Sequence, residues 1–188
     1  MRLRREQWKK TYLGRDGSRL VFLDETGVNT SMSRRHGRSA RGQRCVCAVP
    51  QGHRVSYTVI SALREQCLCA ARVIEGAMNA KRFGEWVRRA LLPCLRRGDT
   101  VVCDNLSAHK CALARKLIEA HGCKLSFLPP YSPDLNPIEQ ANSKLKSDLR
   151  RMQAREHAAL VAAVRKSVRS FSPSMCRNFF FHAGYVAT

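Results

Sequence analysis

Acidic side chains are scarce in this sequence: 14 Asp and Glu stand against 34 Lys and Arg among 188 residues, a formal charge of +20. Such a surface attracts polyanions, and each nucleic-acid phosphate it neutralised would release condensed counterions. Long apolar runs are missing too. None reaches the ~18–20 residues that a membrane-spanning helix needs, which excludes a helical membrane protein. The basic opening MRLRREQWKK lacks the apolar stretch of a secretory signal, so a cytosolic protein is expected. No C-x-x-C occurs among the nine cysteines, and the two C-x-C pairs, Cys45/Cys47 and Cys67/Cys69, do not have the spacing of a common zinc finger or ribbon. On a strand, positions i and i+2 share a face, so each pair reads as two small buried hydrophobes. Free thiols in a reducing compartment are expected ahead of a zinc site. Internal repeats and low-complexity tracts are absent. What remains, at 44% hydrophobic and 26% charged, is a globular chain of one-domain size.

Residues 1–18 carry Arg2, Arg4, Arg5, Lys9, Lys10 and Arg15 with little apolar periodicity. They are expected to be a basic N-terminal arm or linker, the junction with something upstream. From 19 to 188 the texture is that of a folded domain. Arg19–Leu23 reads as a buried strand closing at Asp24. A polar, Arg-rich loop follows, then strands at Arg44–Val49 and Val55–Leu63 joined by a turn through Pro50–His53, and a shorter strand at Arg72–Glu75. Phe83, Trp86, Val87, Ala90 and Leu91 form the one-sided stripe of a helix. Thr100–Cys103 is a strand ending at Asp104, Leu113, Leu117 and Ile118 mark a second helix, and Lys124–Leu128 is a last strand. Helices then run from Asn136 to about Met152, through Leu160–Phe171, and from Pro173. This order implies an α/β fold, a mixed five-stranded sheet flanked by helices.

On so basic a chain the placement of acids is informative. Asp24 follows VFL and Asp104 follows VVC, so both are expected at the C-terminal ends of apolar strands, where open α/β sheets place their sites. On adjacent strands the two carboxylates would approach within several Å, and like charges ~4 Å apart repel by about 4 kcal/mol at an effective dielectric near 20. A divalent cation, a shared proton or a nearby Arg must offset that. Oxygen-only ligation suits Mg²⁺ or Mn²⁺ rather than zinc. Each Asp also reads as a simple turn former. The third acid, Glu139, follows Asn136 and Pro137, which suit an N-cap and a first helical position. That places it at N3, where it can close a capping box or project toward the strand ends.

Three blocks carry a resemblance: Phe22-Leu23-Asp24-Glu25-Thr26-Gly27, Asp104-Asn105-Leu106-Ser107-Ala108-His109-Lys110, and Leu128-Pro129-Pro130-Tyr131-Ser132-Pro133-Asp134-Leu135-Asn136-Pro137-Ile138-Glu139. Together they resemble the DDE transposases of the mariner-like superfamily, in the branch found in bacterial insertion sequences. Thirty-four residues lie between Asp104 and Glu139, the spacing that family favours. The loop around His36-Gly37 and Ala40–Arg44 is also similar to the family's stretch between its first two strands. The resemblance covers roughly residues 20–155. Two departures stand out: residues 1–18 are too short for the helix-turn-helix DNA-binding modules that family members usually carry before the domain, and Asn142 and Ser143 occupy the region where many relatives carry a Trp.

The resemblance implies a ribonuclease H-like fold and a catalytic domain that cuts DNA at transposon ends and transfers the strand, by two-metal phosphoryl transfer. It implies that Asp24, Asp104 and Glu139 hold two Mg²⁺ ions, with Mn²⁺ as a substitute. Asp24 would bridge both ions, Asp104 bind one and Glu139 the other. Asn105 and His109 are candidates to orient these ligands, although His109 also reads as a helix cap. Arg34, Arg35, Arg38, Arg41 and Arg44 on the loop, with Lys144, Lys146, Arg150 and Arg151 on the glutamate's helix, are expected to hold the DNA backbone. The partners implied are double-stranded DNA, a second copy of the chain on it and an upstream DNA-binding module, all in the bacterial cytoplasm at the nucleoid. Two rival readings remain: a non-catalytic DNA-binding or dimerising fragment that regulates or complements a full-length partner, and a nuclease that hydrolyses without strand transfer.

Overall fold

The computed structural model describes residues 2–51 and 54–186. Five strands, β1 (Leu20–Asn29), β2 (Ser56–Leu63), β3 (Leu68–Glu75), β4 (Thr100–Cys103) and β5 (Lys124–Phe127), form one mixed sheet in the order β3-β2-β1-β4-β5. The first three make an antiparallel meander, while β4 and β5 join β1 in parallel. Helix α1 (Arg2–Tyr12) precedes the sheet. The crossovers carry α2 (Ala80–Trp86), which continues into a π-helical turn (Val87–Leu91) and a 3-10 turn (Leu92–Cys94), and α3 (Ala112–Ala120). The chain ends in α4 (Ile138–Met152), α5 (His157–Arg169) and α6 (Pro173–His182). Among the described residues no helix is long and apolar enough to cross a membrane.

The apolar run opening β1 is continuous because helices cover both faces of the sheet. Side chains alternate along a strand. Val21 and Leu23 therefore pack with Phe83, Val87 and Ile118 of the α2/α3 layer, while Leu20 and Phe22 pack with Ile138, Ala141 and Phe180 on the opposite layer. Phe22 is fully buried and meets Phe180 edge-on with ring centroids 5.4 Å apart; emptying such a site costs about 3–5 kcal/mol. A third cluster joins Val28, Tyr57 and Val59 to Leu145, Leu149 and Leu160, so α4 and α5 close the far part of the meander.

Several expected elements differ. The N-terminal segment, read as an arm, forms α1. Trp8 is buried, its indole N–H donates to the Tyr185 hydroxyl (2.9 Å), and that hydroxyl donates to the Leu135 carbonyl (2.8 Å). One buried aromatic beside an exposed Leu3 makes no apolar stripe, which is why periodicity did not mark the helix. The strand expected at Arg44–Val49 is absent: this stretch is irregular and exposed, and no neighbouring strand supplies a ladder. Of the expected turn through Pro50–His53, Gly52 and His53 lie outside the described residues. β1 does not close at Asp24 but runs on to Asn29, because β2 pairs with it throughout, Asp24 opposite Ser61 and Asn29 opposite Ser56. β3 starts at Leu68 rather than Arg72. A 3-10 turn over Pro133–Leu135 delays the glutamate's helix, so Pro137 takes the N-cap and Glu139 is the second helical residue instead of N3.

Candidate active site

β1 and β4 run parallel with Phe22 opposite Val102. Two residues on, Asp24 and Asp104 come off neighbouring strands at the same level, where open α/β sheets gather their chemistry. Asp24 remains in a strand, whereas Asp104 opens the loop after β4. Glu139 arrives from α4, whose Ile138 and Ala141 are packed on the sheet face that Phe22 shares. The three carboxylates line one cleft of about 450 Å³, with Asn105, Tyr131 and Asn136 on its walls. An adjoining concavity shares all three and adds Glu25, Arg35, Asn142, Lys146 and Arg150. A further groove shares Asn105 and residues 128–130 and is walled by Arg4, Gln7 and Thr11 of α1.

Each aspartate is held by its own partners. Asp24 Oδ1 accepts the Glu25 amide (2.8 Å), and Oδ2 accepts Asn142 Nδ2 (3.0 Å). Burial pushes the Asp24 carboxyl up to about 7; the Glu25 amide opposes this, and the nearby charges of Glu139 and Asp104 add to it. Asp104 Oδ1 accepts the Leu106 amide (3.0 Å) and meets His109 Nδ1 at 2.6 Å. Burial favours a neutral Asp104, but its bonds from His109 and Leu106 outweigh this and hold it below the usual carboxylate range. His109 sits in the 3-10 turn Ser107–Lys110, fully buried, its ring 4.8 Å from that of Phe83. Its other nitrogen, Nε2, meets Glu25 Oε1 at 3.1 Å. Burial alone would depress the imidazole, but the two carboxylates raise it to about 9. The ring is therefore an imidazolium donating to both.

The donor set fits a hard divalent cation. Three carboxylates from three elements face one cleft, and the cost of ionising Asp24, set first by its burial and then by two like charges beside it, is what such a cation relieves. Among the described residues, however, no three His, Cys, Asp or Glu side chains stand close enough together to enclose an ion. With Asp104 bonded to His109 and Asp24 to Asn142, the carboxylates share a cleft without yet converging on one point.

The remaining candidates divide. Asn105 does not reach a carboxylate; its Nδ2 donates to the Leu128 carbonyl (2.7 Å), tying the end of β4 to the start of the Pro129-Pro130 segment. Arg35, Lys146 and Arg150 border the carboxylates. Arg34, Arg38, Arg41 and Arg44 are exposed on the loop before β2 and line none of these cavities. Lys144 does not face the cleft: its ammonium bonds Asp148 (2.6 Å) and Ser170 (2.7 Å) and lies 4.5 Å from the Phe171 ring centroid. Arg151 pairs with the same Asp148 at 3.3 Å.

Sequence reasoning missed Glu25 and Asn142. Alternation sends Glu25 to the face opposite Asp24, and only the fold of the 107–110 turn brings His109 to meet it. Asn142 was findable, since it stands three residues after Glu139 and so on the same helix face.

The family described as DDE superfamily endonuclease matches residues 19–161. No curated protein matches the sequence. Among solved structures, the Mos1 transposase paired-end complex with left transposon end is similar at TM-score 0.71 and 15% identity, covering 97% of this chain and 56% of that one. The Mos1 mariner paired end complex with Mn gives 0.68 and 16%, with 97% and 56% covered. The Mos1 transposase catalytic domain with Raltegravir and Mg gives 0.64 and 13%, with 97% and 85% covered. At such identities the likeness establishes the ribonuclease H-like fold. This chain spans little more than half the length of the first two proteins.

Proposed function

This chain belongs to the DDE superfamily endonuclease family, and from that premise we propose that residues 19–188 are the catalytic domain of a DNA transposase of the bacterial insertion-sequence branch. The domain would cut DNA at transposon ends and join the freed 3′ end to target DNA. The observation that carries this reading is the arrival of Asp24, Asp104 and Glu139 from β1, β4 and α4 in a single cleft. In this proposal Asp24, Asp104 and Glu139 would hold two Mg²⁺ ions, Asp24 serving both, Asp104 one and Glu139 the other, with Mn²⁺ able to substitute. When bound, the ions would activate water or a 3′-hydroxyl and stabilise the leaving oxygen of an in-line displacement.

The chain's own residues provide orientation and charge. His109, clamped between Asp104 and Glu25, keeps Asp104 ionised and fixes its direction. Asn142 fixes the direction of Asp24 through Oδ2. Asn105 sets the floor of the cleft through Leu128. Arg35, Lys146 and Arg150 border the carboxylates and supply phosphate contacts that position DNA without reading its sequence, with Arg34, Arg38, Arg41 and Arg44 contributing from the loop. Lys144 and Arg151 belong to the Asp148 network and are left out of the interface. The active form in this proposal is a homodimer on transposon-end DNA, in the bacterial cytoplasm, with a DNA-binding module supplied upstream.

The test is Mg²⁺-dependent nicking and strand transfer on DNA carrying the element's terminal repeats. Asp104→Asn and Glu139→Gln should each lower cleavage by far more than the ~10–100-fold that loss of a ligand-orienting residue costs; unchanged nicking refutes the proposal. A second reading, a non-catalytic DNA-binding fragment that complements a full-length partner, draws on the chain's spanning about half of its structural relatives. Salt-sensitive DNA binding with no Mg²⁺ uptake by calorimetry would select it, and hydrolysis without a strand-transfer product would select a simple nuclease.

A further inference from the structure

The catalytic cleft does not end at its carboxylates. β1 outruns β4: their pairing reaches Phe22 opposite Val102, and among the described residues no strand lies against that side of β1 from Asp24 to Asn29. The concavity shared by the three carboxylates follows this free edge as far as Gly27. There it adjoins another, of about 360 Å³, walled by Arg35, Arg54, Lys146 and Arg150 together with Ser31 and Ser33. Gly27, Arg35, Lys146 and Arg150 line both spaces. The far wall is tied down: Asn29 Oδ1 accepts the Ser31 amide and hydroxyl, each at 3.0 Å, and Arg155 donates to the Thr30 and Met32 carbonyls at 3.1 and 3.0 Å. Among the described residues no carboxylate pairs with any of the four cations, whereas Lys144 and Arg151 of the same helix α4 are both bound to Asp148. Gly27 itself is unexplained by packing. Glycine weakens a strand interior, yet a Cβ at this position would meet nothing within 4 Å, and the backbone there is not in the left-handed region.

We infer that Gly27 is the threshold of a passage along which one DNA strand leaves the carboxylates and lays its phosphates in the four-cation seat of Arg35, Arg54, Lys146 and Arg150. The inference rests on the DNA-cutting role proposed for the cleft and adds the strand's path, its length and a further contact, Arg54. A strand glycine under open space admits another backbone at close range, and the free edge of β1 presents unpaired amides to it. Any side chain at position 27 would stand in that gap. Beyond the threshold the occupant is a polyanion: clustered cations without acidic partners repel one another, and a run of phosphates neutralises them while releasing its counterions. Helix α4 sets the scale. Lys146 and Arg150 stand seven and eleven positions after Glu139, on the same helix face and ~10 and ~16 Å along the axis. At ~3.4 Å per nucleotide along a duplex, the seated backbone lies about three to five nucleotides from the phosphate being cut. These contacts fix the direction and reach of the strand and read no bases.

Fluorescence anisotropy of a labelled duplex, in EDTA and across a range of salt, tests the passage apart from any chemistry. Arg54→Ala should weaken binding and lower the salt slope by about 1. Gly27→Leu removes no charge, yet by closing the threshold it should lower the slope at least as much. Adding Arg54→Ala to it should then change little, because both act on the same contacts. Gly27→Leu should unfold in urea no more readily than wild type, since the space over position 27 is open. On terminal-repeat DNA with Mg²⁺, trimming the substrate should abolish wild-type nicking from one end only, once fewer than about three to five nucleotides remain beyond the cut. Wild-type affinity in Gly27→Leu, a loss of affinity with the slope unchanged, additive effects of the two substitutions, or nicking that survives trimming to the cut at either end overturns the inference. In each of those cases Mg²⁺-dependent nicking by wild type leaves the carboxylate reading standing, whereas a wild type that binds no duplex overturns both. The trimming series needs no variant and decides the matter if Gly27→Leu fails to fold.

Discussion

Replacing His109 by Gln removes a buried cation from between two carboxylates, and its cost should depend on pH in a calculable way. The ring's ordinary pKa of 6.5 rises to about 9 in the folded chain. At 1.36 kcal/mol per pH unit this corresponds to about 3 kcal/mol of stability. Between pH 6.5 and 9 the folded chain holds a proton that the unfolded chain releases, so the contribution is complete below 6.5, declines as pH rises, and is lost above 9. Trp8 and Trp86 are both buried, which makes their fluorescence a reporter of urea unfolding. With EDTA present, the wild-type advantage over His109→Gln should shrink by about 3 kcal/mol between pH 6 and 9.5. At a slope of about 1–3 kcal/mol/M this is a shift of about 1–3 M in the relative urea midpoints. Cys67 and Cys94 also titrate across this range but are common to both proteins and drop out of the difference; Asp24, which the His109 charge lowers, does not, so the pair is compared in an Asp24→Asn background. A gap that stays constant with pH would show that His109 is not a charged clamp, and the account of how Asp104 is oriented would fall with it.

Three other perturbations test separate parts of the structure. Because Asp24 holds its proton up to about pH 7, Mg²⁺ binding should release close to one proton at pH 6 and almost none at pH 8.5; calorimetry in buffers of different ionisation enthalpy measures this, and Asp24→Asn should abolish it. Lys146→Ala and Arg150→Ala should each weaken binding of any duplex and lower the salt slope by about 1. Lys144→Ala should leave both unchanged in a fluorescence-anisotropy titration and lower stability instead, by roughly 2 kcal/mol, through its bond to Asp148. Asp99→Ala should cost about 3–5 kcal/mol in urea unfolding, since it strands the Arg64 guanidinium that reaches it at 2.6 Å inside the protein.

What could be read from the chain beforehand follows from how local the cause is. The runs VFL and VVC became buried strands because each needs only two covering layers, and the parallel pairing of Phe22 with Val102 then brings Asp24 and Asp104 level. Glu139 was assigned to the start of α4 correctly within one position; the error came from the 3-10 turn at Pro133–Leu135, which a residue-by-residue cap argument does not anticipate. The missed features depend on contacts between distant segments. Helix α1 owes its place to Trp8 meeting Tyr185, 177 residues away. Lys144 and Lys146 looked alike on a helical wheel, yet Asp148, Ser167 and Ser170 sit on one side of α4 and claim the first. The Arg44–Val49 run had alternation enough for a strand but no partner to pair with, and a strand without a ladder gains little from being extended.

Those long-range contacts also bear on how Glu139 is aimed. A carboxylate on the first turn of a helix is only as well placed as the chain that leads into it, and here that chain is a proline-rich stretch with few backbone bonds of its own. Arg5 of α1 grips it, with Nη1 and Nη2 on the two Asp134 oxygens at 2.9 and 2.7 Å and Nη1 also on Ser132 Oγ at 2.7 Å. The Trp8–Tyr185–Leu135 relay fastens it from the buried side. Tyr131, exposed and in the left-handed region with φ +54°, sits at the edge of the gripped segment, where its carbonyl accepts from Arg5 at 3.3 Å. The two ends of the chain therefore act as a brace on the segment that delivers the third carboxylate, while the first two are set by the sheet. Loosening the brace should leave Asp24 and Asp104 where they are and let only Glu139 wander. Arg5→Ala is accordingly expected to weaken Mg²⁺ binding while leaving the high pKa of His109 intact, a combination that damage to the sheet would not produce.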